Sequence, residues 1–340
     1  NREQKIMREF VITPNEANQR MDKYLGKLLK EAPKSFFYKM LRKKNIVLND
    51  KKATGNEKLK TGDSIKLYLS DETFDKFAGA RENVPALNQK KRNQWTLEES
   101  VVYEDENVLF LNKPVGILSQ KATPEDVSVN EYVIRYLLDT HAIEEKELQT
   151  FKPSICNRLD RNTSGLITAG KSLQGLQELS VWFRDRSVGK YYLCLVKGVL
   201  EHSEKISGYL KKNEKTNQVL ISKKEEPGTQ RIETAYRPVC VKNGYTLLEV
   251  KLITGKTHQI RAHLASIGHP IAGDFKYGNR SWNQKLKEGY GLQSQLLHSW
   301  RLEVPESLSL DSPLSALGGK AFTADPPELF CRICKDLGVM

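Results

Sequence analysis

"SICNRLDRNTSGLITAG", from Ser154 to Gly170, carries its charge in the first half and an apolar, strand-like run in the second. Asp160 stands between Arg158 and Arg161, and Thr163, Ser164 and Gly165 follow before "LITAG". The pattern predicts a turn at Asp160 that leads into a strand. Thr163 and Ser164 are expected to bond the turn backbone, and Gly165 to permit tight geometry. Adjacent guanidinium groups would hold the carboxylate ionised, which suits a nucleophile or a base. A structural aspartate in an arginine-rich turn has the same local pattern, so both readings stay open at this point.

The flanking segments set the fold class. "NVLFLNKPVGIL" reads as strand and turn, "VNEYVIRYLLDTH" and "SLQGLQELSVWFRDRS" as helices, and "GKYYLCLVKGVL" as a strand. Asn243-Gly244 is a hairpin turn signal. "HQIRAHLASIG" reads as a helix stopped by Gly268, with Ile260, Leu264 and Ile267 as its apolar stripe. Hairpins mixed with scattered helices predict an α+β unit with a mixed, largely antiparallel sheet over residues 96–340, rather than regular βαβ repeats.

The chain has 340 residues and a formal net charge of +12, with 39% hydrophobic and 28% charged residues. That length and composition predict a globular protein of two domains. No apolar run reaches the ~18–20 residues that span a bilayer, and the charged start "NREQKIMREF" lacks the apolar core of a signal peptide. Five cysteines, an odd number, point to a reducing compartment and a cytoplasmic location.

The charge is concentrated. Residues 20–70 hold 14 Lys or Arg against five Asp or Glu, a distribution that fits a nucleic-acid footprint. "NQRMDKYLGKLLKE" places Met21, Tyr24, Leu25, Leu28 and Leu29 on one helical face. "APKSFFYKMLRKKN" repeats the stripe with Phe36, Phe37, Met40 and Leu41. Ser35 is its expected N-cap, and Asn45 the expected left-handed residue at its end. "IVLND" and "TGDSIKLYL" follow as strands. The division expected is a segment 1–16, a small basic unit 17–70, a linker 71–95 without periodicity, and the large unit 96–340. Arg20, Lys39, Arg42, Lys43 and Lys44 are the expected phosphate contacts.

Several motifs fail. "GKT" at 255–257 has Val250 where a phosphate loop needs glycine. His258 and His263 are five apart, off the spacing that stacks a zinc pair on a helix. Cys331 and Cys334 form one C-x-x-C with no second pair nearby and read as incidental thiols. No Gly-x-Ser-x-Gly elbow is present. No metal and no cofactor are assigned.

Four blocks occur in order across about 170 residues: "FLNKPVGILS", "NRLDRNTSGL", "GKYYLCLVKG" and "TGKTHQIRAHLASIGHPIAGDFKYG". Together they resemble the RluA family of pseudouridine synthases, and "APKS" at the second helix resembles its RluC/RluD branch. The helix–helix–strand unit resembles the small RNA-binding domain of the ribosomal-protein-S-four type. Its Arg-Leu-Asp opening is here Arg20-Met21-Asp22.

The resemblance implies an isomerase acting on RNA, with large-subunit ribosomal RNA as partner and no redox cofactor or nucleotide. It implies Asp160 as the catalytic aspartate, Tyr192 as the tyrosine that stacks on the target base, and Arg261 as the arginine that pairs with the aspartate. Arg158 would fill the gap left by the flipped nucleotide, Ile260 would line the uracil pocket, and Lys113 and Pro114 would give structural support. Two positions depart from the pattern: Asn157 where the family has His, and Lys256 where it has Arg. Lys256 keeps the charge but loses a planar, bidentate donor, which bears on substrate contact. A non-catalytic RNA-binding or ribosome-assembly factor with the same fold is the alternative. A carboxylate glycosidase would need a second, paired acid, and none stands out.

Overall fold

The computed structural model describes residues 5–80, 84 and 87–340. Its first unit is a four-stranded antiparallel sheet with two helices against it. The elements run β1 (Ile6–Val11), α1 (Met21–Leu28), α2 (Lys34–Arg42), β2 (Ile46–Leu48), β3 (Lys51–Lys52), β4 (Ser64–Leu69) and α3 (Asp71–Ala78). The strand order is β1-β4-β2-β3. Met21, Tyr24, Leu25, Leu28 and Leu29 are buried together with Phe37, Met40 and Leu41, so both helical stripes form one core.

Four expectations change here. Within the expected segment 1–16, β1 belongs to the small unit, because it pairs with β4 along its whole length. The expected linker 71–95 carries α3 and, at Gln89–Gln94, α4. Ser70 caps α3, and Phe74, Phe77 and Ala78 pack on the first core; an eight-residue helix shows too few turns for its period to stand out. Pro33, not Ser35, occupies the N-cap of α2, a place where missing N–H bonds cost nothing. Lys44, not Asn45, takes the left-handed conformation after α2, at φ 57°.

The second unit continues with β5 (Val101–Glu104), β6 (Val108–Lys113), α5 (Val129–Asp139), β7 (Ser154–Ile155), β8 (Ser164–Gly170) and α6 (Leu173–Arg184). Then come β9 (Gly189–Lys197), β10 (Glu204–Asn213), β11 (Gln218–Ser222), β12 (Gln230–Lys242) and β13 (Tyr245–Leu252). It closes with α7 (Gln259–Ser266), α8 (Arg280–Tyr290), β14 (Leu297–Glu303), β15 (Ala321–Thr323) and α9 (Glu328–Asp336). The sheet runs β11-β10-β12-β13-β9-β14-β8-β6-β5, with β7 on β8 and β15 on β14. The pairing is antiparallel except where β8 meets β14, with Ser164 opposite His298 and Gly165 opposite Ser299. This is the predicted α+β, largely antiparallel architecture. Asn243 and Gly244 both have positive φ and turn the β12–β13 hairpin.

Strand β9 shows how the core positions the site. Tyr192, Cys194 and Val196 face a cluster with Ile260 and Leu264 of α7. Leu193 and Leu195 face Trp282 and Leu286 of α8 and Phe330 and Ile333 of α9. Alternation along a strand covered on both faces makes "YLCLV" continuously apolar. Ile267, expected on the α7 stripe, is instead 37% exposed, since the helix ends before it. The two units touch through polar contacts. Leu173 N–H donates to Asn15 O at 2.9 Å, and Thr150 Oγ1 donates to the buried Glu16 carboxylate.

Candidate active site

Asp160 lies in the turn before β8, and that turn is braced from several sides. Thr163 N–H donates to Asp160 O at 3.0 Å. Ser119 holds Leu159 twice: its hydroxyl donates to Leu159 O at 2.6 Å and accepts from Leu159 N–H at 2.9 Å. The buried Lys113 ammonium donates to Pro114 O, Ile117 O and Arg161 O at 3.0, 2.9 and 3.0 Å. Gly116 N–H donates to Arg161 O as well. The "FLNKPVGILS" block is therefore the brace of the aspartate turn. Burial pulls the Lys113 amine down to about 7, with Asp160 opposing the shift. Three carbonyl acceptors nevertheless need all three ammonium protons, which favours the charged form.

Thr163 and Ser164 do not bond the turn backbone through their hydroxyls as expected. Ser164 Oγ meets His298 Nδ1 at 2.8 Å, and Thr163 Oγ1 accepts from Gln295 at 3.3 Å. His298 Nε2 donates to Ala324 O, so its Nδ1 accepts the serine proton. Gly165 has φ +116°, and a Cβ there would lie 2.1 Å from Ser299 O. Only glycine permits the parallel β8–β14 approach. Asn157 bridges the turn to β8: its side chain donates to Leu166 O at 3.1 Å and accepts from Thr168 N–H at 2.7 Å. The residue that departs from the family pattern thus serves the backbone.

The partner of Asp160 comes from α7. Arg261 Nη1 donates to Asp160 Oδ2 at 2.9 Å. Arg158 and Arg161, expected to hold the carboxylate, are exposed and form no ion pair with it among the described residues. Side chains so close in sequence are turned outward by the tight turn. Arg261 is buried and anchored by Asp274, which takes Nε at 2.8 Å on Oδ2 and Nη2 at 3.1 Å on Oδ1. Asp274, fully buried, also accepts the Lys276 and Tyr277 N–H groups at 3.0 and 3.1 Å. Burial works against the Arg261 charge, but Asp274 and then Asp160 outweigh it and raise its pKa.

Tyr192, Ile260 and Lys256 line the same cleft as Asp160, Arg158 and Arg261. Burial, reinforced by Asp160, pushes the Tyr192 phenol well above its usual range, so it stays protonated and can donate but not act as a base. The cleft measures about 1030 Å³. Its lining includes Lys121, Arg158, Arg161, Arg184, Arg186, Lys190, Lys212, Lys256, Arg261 and Lys276, against one acid, Asp160. A cleft of one sign focuses field and draws a polyanion.

Sequence reasoning missed Asp274, the only acid in the "TGKTHQIRAHLASIGHPIAGDFKYG" block. It missed Tyr277 and the approach of His258 to Asp160. It also missed the rim cations: Arg184, Arg186 and Lys190 fall within seven residues interrupted by Asp185, and Lys212 and Lys276 lie far from them in sequence. Of the expected RNA contacts, Lys39, Arg42, Lys43 and Lys44 are exposed on or just after α2. Arg20 is committed inside its own unit, to Asp22 at 2.7 Å and Asn56 at 2.6 Å.

Comparison with known proteins gives the family. Residues 107–266 match the family described as RNA pseudouridylate synthase. The chain is 31% identical over 324 residues to ribosomal large subunit pseudouridine synthase C of Vibrio cholerae, covering 92% of this chain and 95% of that protein. Its namesake from Haemophilus ducreyi is 33% identical over 311 residues, covering 90% and 91%. Among solved structures, Human RNA Pseudouridylate Synthase Domain Containing 4 superposes with a TM-score of 0.56 at 20% identity, covering 71% of this chain and 94% of that one.

Proposed function

We propose that this chain, which belongs to the RluA family of RNA pseudouridine synthases, isomerises specific uridines of large-subunit ribosomal RNA. The reaction breaks the bond between uracil N1 and ribose C1′, turns the base, and joins C5 to C1′. C5 loses its proton and N1 gains one, so the change is a net isomerisation. The observation that carries the site assignment is the Asp160–Arg261–Asp274 chain at the floor of a cationic cleft that Tyr192 also lines.

The residues divide the work. Asp160 supplies the carboxylate that acts on the sugar, paired with and aimed by Arg261. Tyr192 offers a ring to stack on uracil, and its phenol remains a donor. Ile260 walls the pocket. Unstacking the target uridine costs a few kcal/mol, which the rim cations and Arg158 offset by holding phosphates and filling the opened helix. Lys256 adds a point charge at the mouth. In the small unit, Lys39, Arg42, Lys43 and Lys44 supply further phosphate contacts, with Arg20 left to its internal role. The fold of that unit, helices over a small sheet with a basic second helix, supports its reading as an S-four-type RNA-binding domain.

All five cysteines are free thiols, which supports action in the reducing cytoplasm. Among the described residues no helix is long and apolar enough to cross a membrane.

The test uses unmodified large-subunit ribosomal RNA transcript. Pseudouridine is mapped by chemical labelling and primer-extension stops after incubation with wild type or D160N. New stops with wild type and none with D160N, at unchanged RNA affinity, are expected. Binding without new stops on this or other cellular RNA would instead support an assembly factor. Equal loss of binding and activity in D160N would remove its chemical role.

A further inference from the structure

We propose that His258 is a positioning residue for Asp160, fixed by Tyr277 in the tautomer that turns an Nε2–H donor toward the catalytic carboxylate. This rests on the reading of Asp160 given above and adds a second protein donor to that site.

The hydrogen bonds around Tyr277 fix the tautomer. Tyr277 Oη accepts the Val219 N–H of β11 at 3.0 Å and lies 2.7 Å from His258 Nδ1. With Val219 supplying a proton to the phenol oxygen, the phenol's own proton goes to Nδ1. Nδ1 then accepts, and in a neutral imidazole the proton must sit on Nε2. Nε2 is 4.0 Å from Asp160 Oδ2, the oxygen that Arg261 also holds. A closing movement of about 1 Å makes this a hydrogen bond. Asp160 Oδ1 makes no hydrogen bond among the described residues, so both protein donors gather on one oxygen and leave the other for the substrate.

The backbone supports the same reading. His258 sits at the N-cap of α7 with φ 53° and ψ 19°, a left-handed conformation that a non-glycine residue adopts at a cost. The conformation places the ring edge-on against Tyr277, with centroids 5.5 Å apart. The charged groups facing the ring are Asp160 and Asp274, which favour its protonation, and Arg261 and Lys276, which oppose it. Burial is the largest influence and lowers its pKa from the usual value. The ring is therefore neutral in the working range, and the Nε2–H donor persists there.

Three variants test this on RNA transcripts tritiated at uracil C5, where product formation releases label. H258Q places an amide donor near the position of Nε2 and does not titrate. It is expected to keep kcat within about fivefold of wild type, whereas H258A loses about 100-fold in kcat with KM changed less than about twofold. Y277F removes the donor to Nδ1, which raises the histidine pKa and frees the tautomer. Its kcat falls about tenfold near neutrality, and the deficit narrows toward acid pH, where the imidazolium carries Nε2–H whatever its tautomer had been. Wild-type kcat in H258A, equal losses in H258A and H258Q, or a Y277F deficit that fails to narrow toward acid pH would each overturn the proposal. RNA affinity and near-ultraviolet circular dichroism are measured on each variant, and a loss confined to KM or to folding counts against positioning. Turnover by D160N would sink the reading of Asp160 itself; an inactive D160N beside wild-type-like His258 variants would sink only this inference.

Discussion

Replacing Asp274 with asparagine should damage stability and turnover together while sparing RNA binding. Asp274 is fully buried and accepts four hydrogen bonds, two of them from the Arg261 guanidinium at 2.8 and 3.1 Å. An asparagine oxygen at the Oδ1 position preserves the bonds from Arg261 Nη2, Lys276 N and Tyr277 N. Its amide NH₂ then faces Arg261 Nε, donor against donor, and Arg261 keeps only Asp160 as counter-charge. Breaking a buried pair costs about 3–5 kcal/mol. The surviving Asp160 bond puts D274N near the lower end, at about 3 kcal/mol by urea unfolding. Turnover falls further than stability requires: once Arg261 can swing, Asp160 loses its aim, and displacement of about 1 Å costs about 100-fold in kcat. Affinity for ribosomal RNA at fixed salt should hold, because the rim cations are untouched. R261M/D274N, which removes both charges, should unfold with a smaller loss than the two single changes add to, yet remain inactive. The reasoning fails if D274N lies within about 1 kcal/mol of wild type with kcat unchanged.

Replacing Lys39, Arg42, Lys43 and Lys44 together with alanine should reduce the slope of log affinity against log salt by about 3, since each phosphate neutralised contributes about 0.7–0.9. Filter binding across salt concentrations reads this, and an unchanged slope would take the second helix out of the RNA interface. His298 gives a pH signature. Burial lowers its pKa to about 4, below the ordinary value of about 6.5. The unfolded chain therefore binds the extra proton first. This contribution to stability is full above pH 6.5 and falls as pH drops toward 4, by about 3 kcal/mol in all. Urea midpoints from pH 7.5 to 4.5 should fall more steeply in wild type than in H298N; parallel curves would show that His298 is not the titrating group.

Elements whose period repeats were legible from sequence. The stripes of α1 and α2, the Asn243-Gly244 hairpin and the Gly268 stop all appear as expected. Strand β1 was not legible because it lies at an edge of a small sheet and leaves Ile6, Met7 and Val11 largely exposed, so little alternation shows. In the site, Asp160, Tyr192, Ile260 and Arg261 were singled out by the family resemblance of the compact blocks that carry them. The structure brings the four into one cleft. Asp274 is thirteen residues beyond Arg261, across a helix end and a turn, and no local rule pairs them. The same holds for Arg158 and Arg161, where nearness in sequence suggested an ion pair that the turn prevents. Charge partners are set by tertiary geometry, and only the type of partner needed is visible in the chain.

That distinction explains why the site needs a buried acid that touches no substrate. A lone carboxylate in a cleft lined by ten cations has no shortage of positive charge; what it lacks is a single fixed partner. Long exposed lysines and arginines would compete for it in many geometries, each screened by water and salt. Asp274 removes that freedom from one arginine. It engages Nε and Nη2 from below, so Nη1 is the nitrogen left for Asp160, with its direction fixed by the planar guanidinium. Among the described residues, the remaining cations hold at most acids or carbonyls, as Lys121 holds Glu131, Lys212 holds Glu214 and Lys276 holds Asn217 O, partners that RNA phosphates can replace. The cleft thus separates one part-buried ion pair that aims the chemistry from a largely exposed positive rim suited to bind the polymer. The two parts are predicted to fail separately: D274N in turnover, rim substitutions in affinity and its salt dependence.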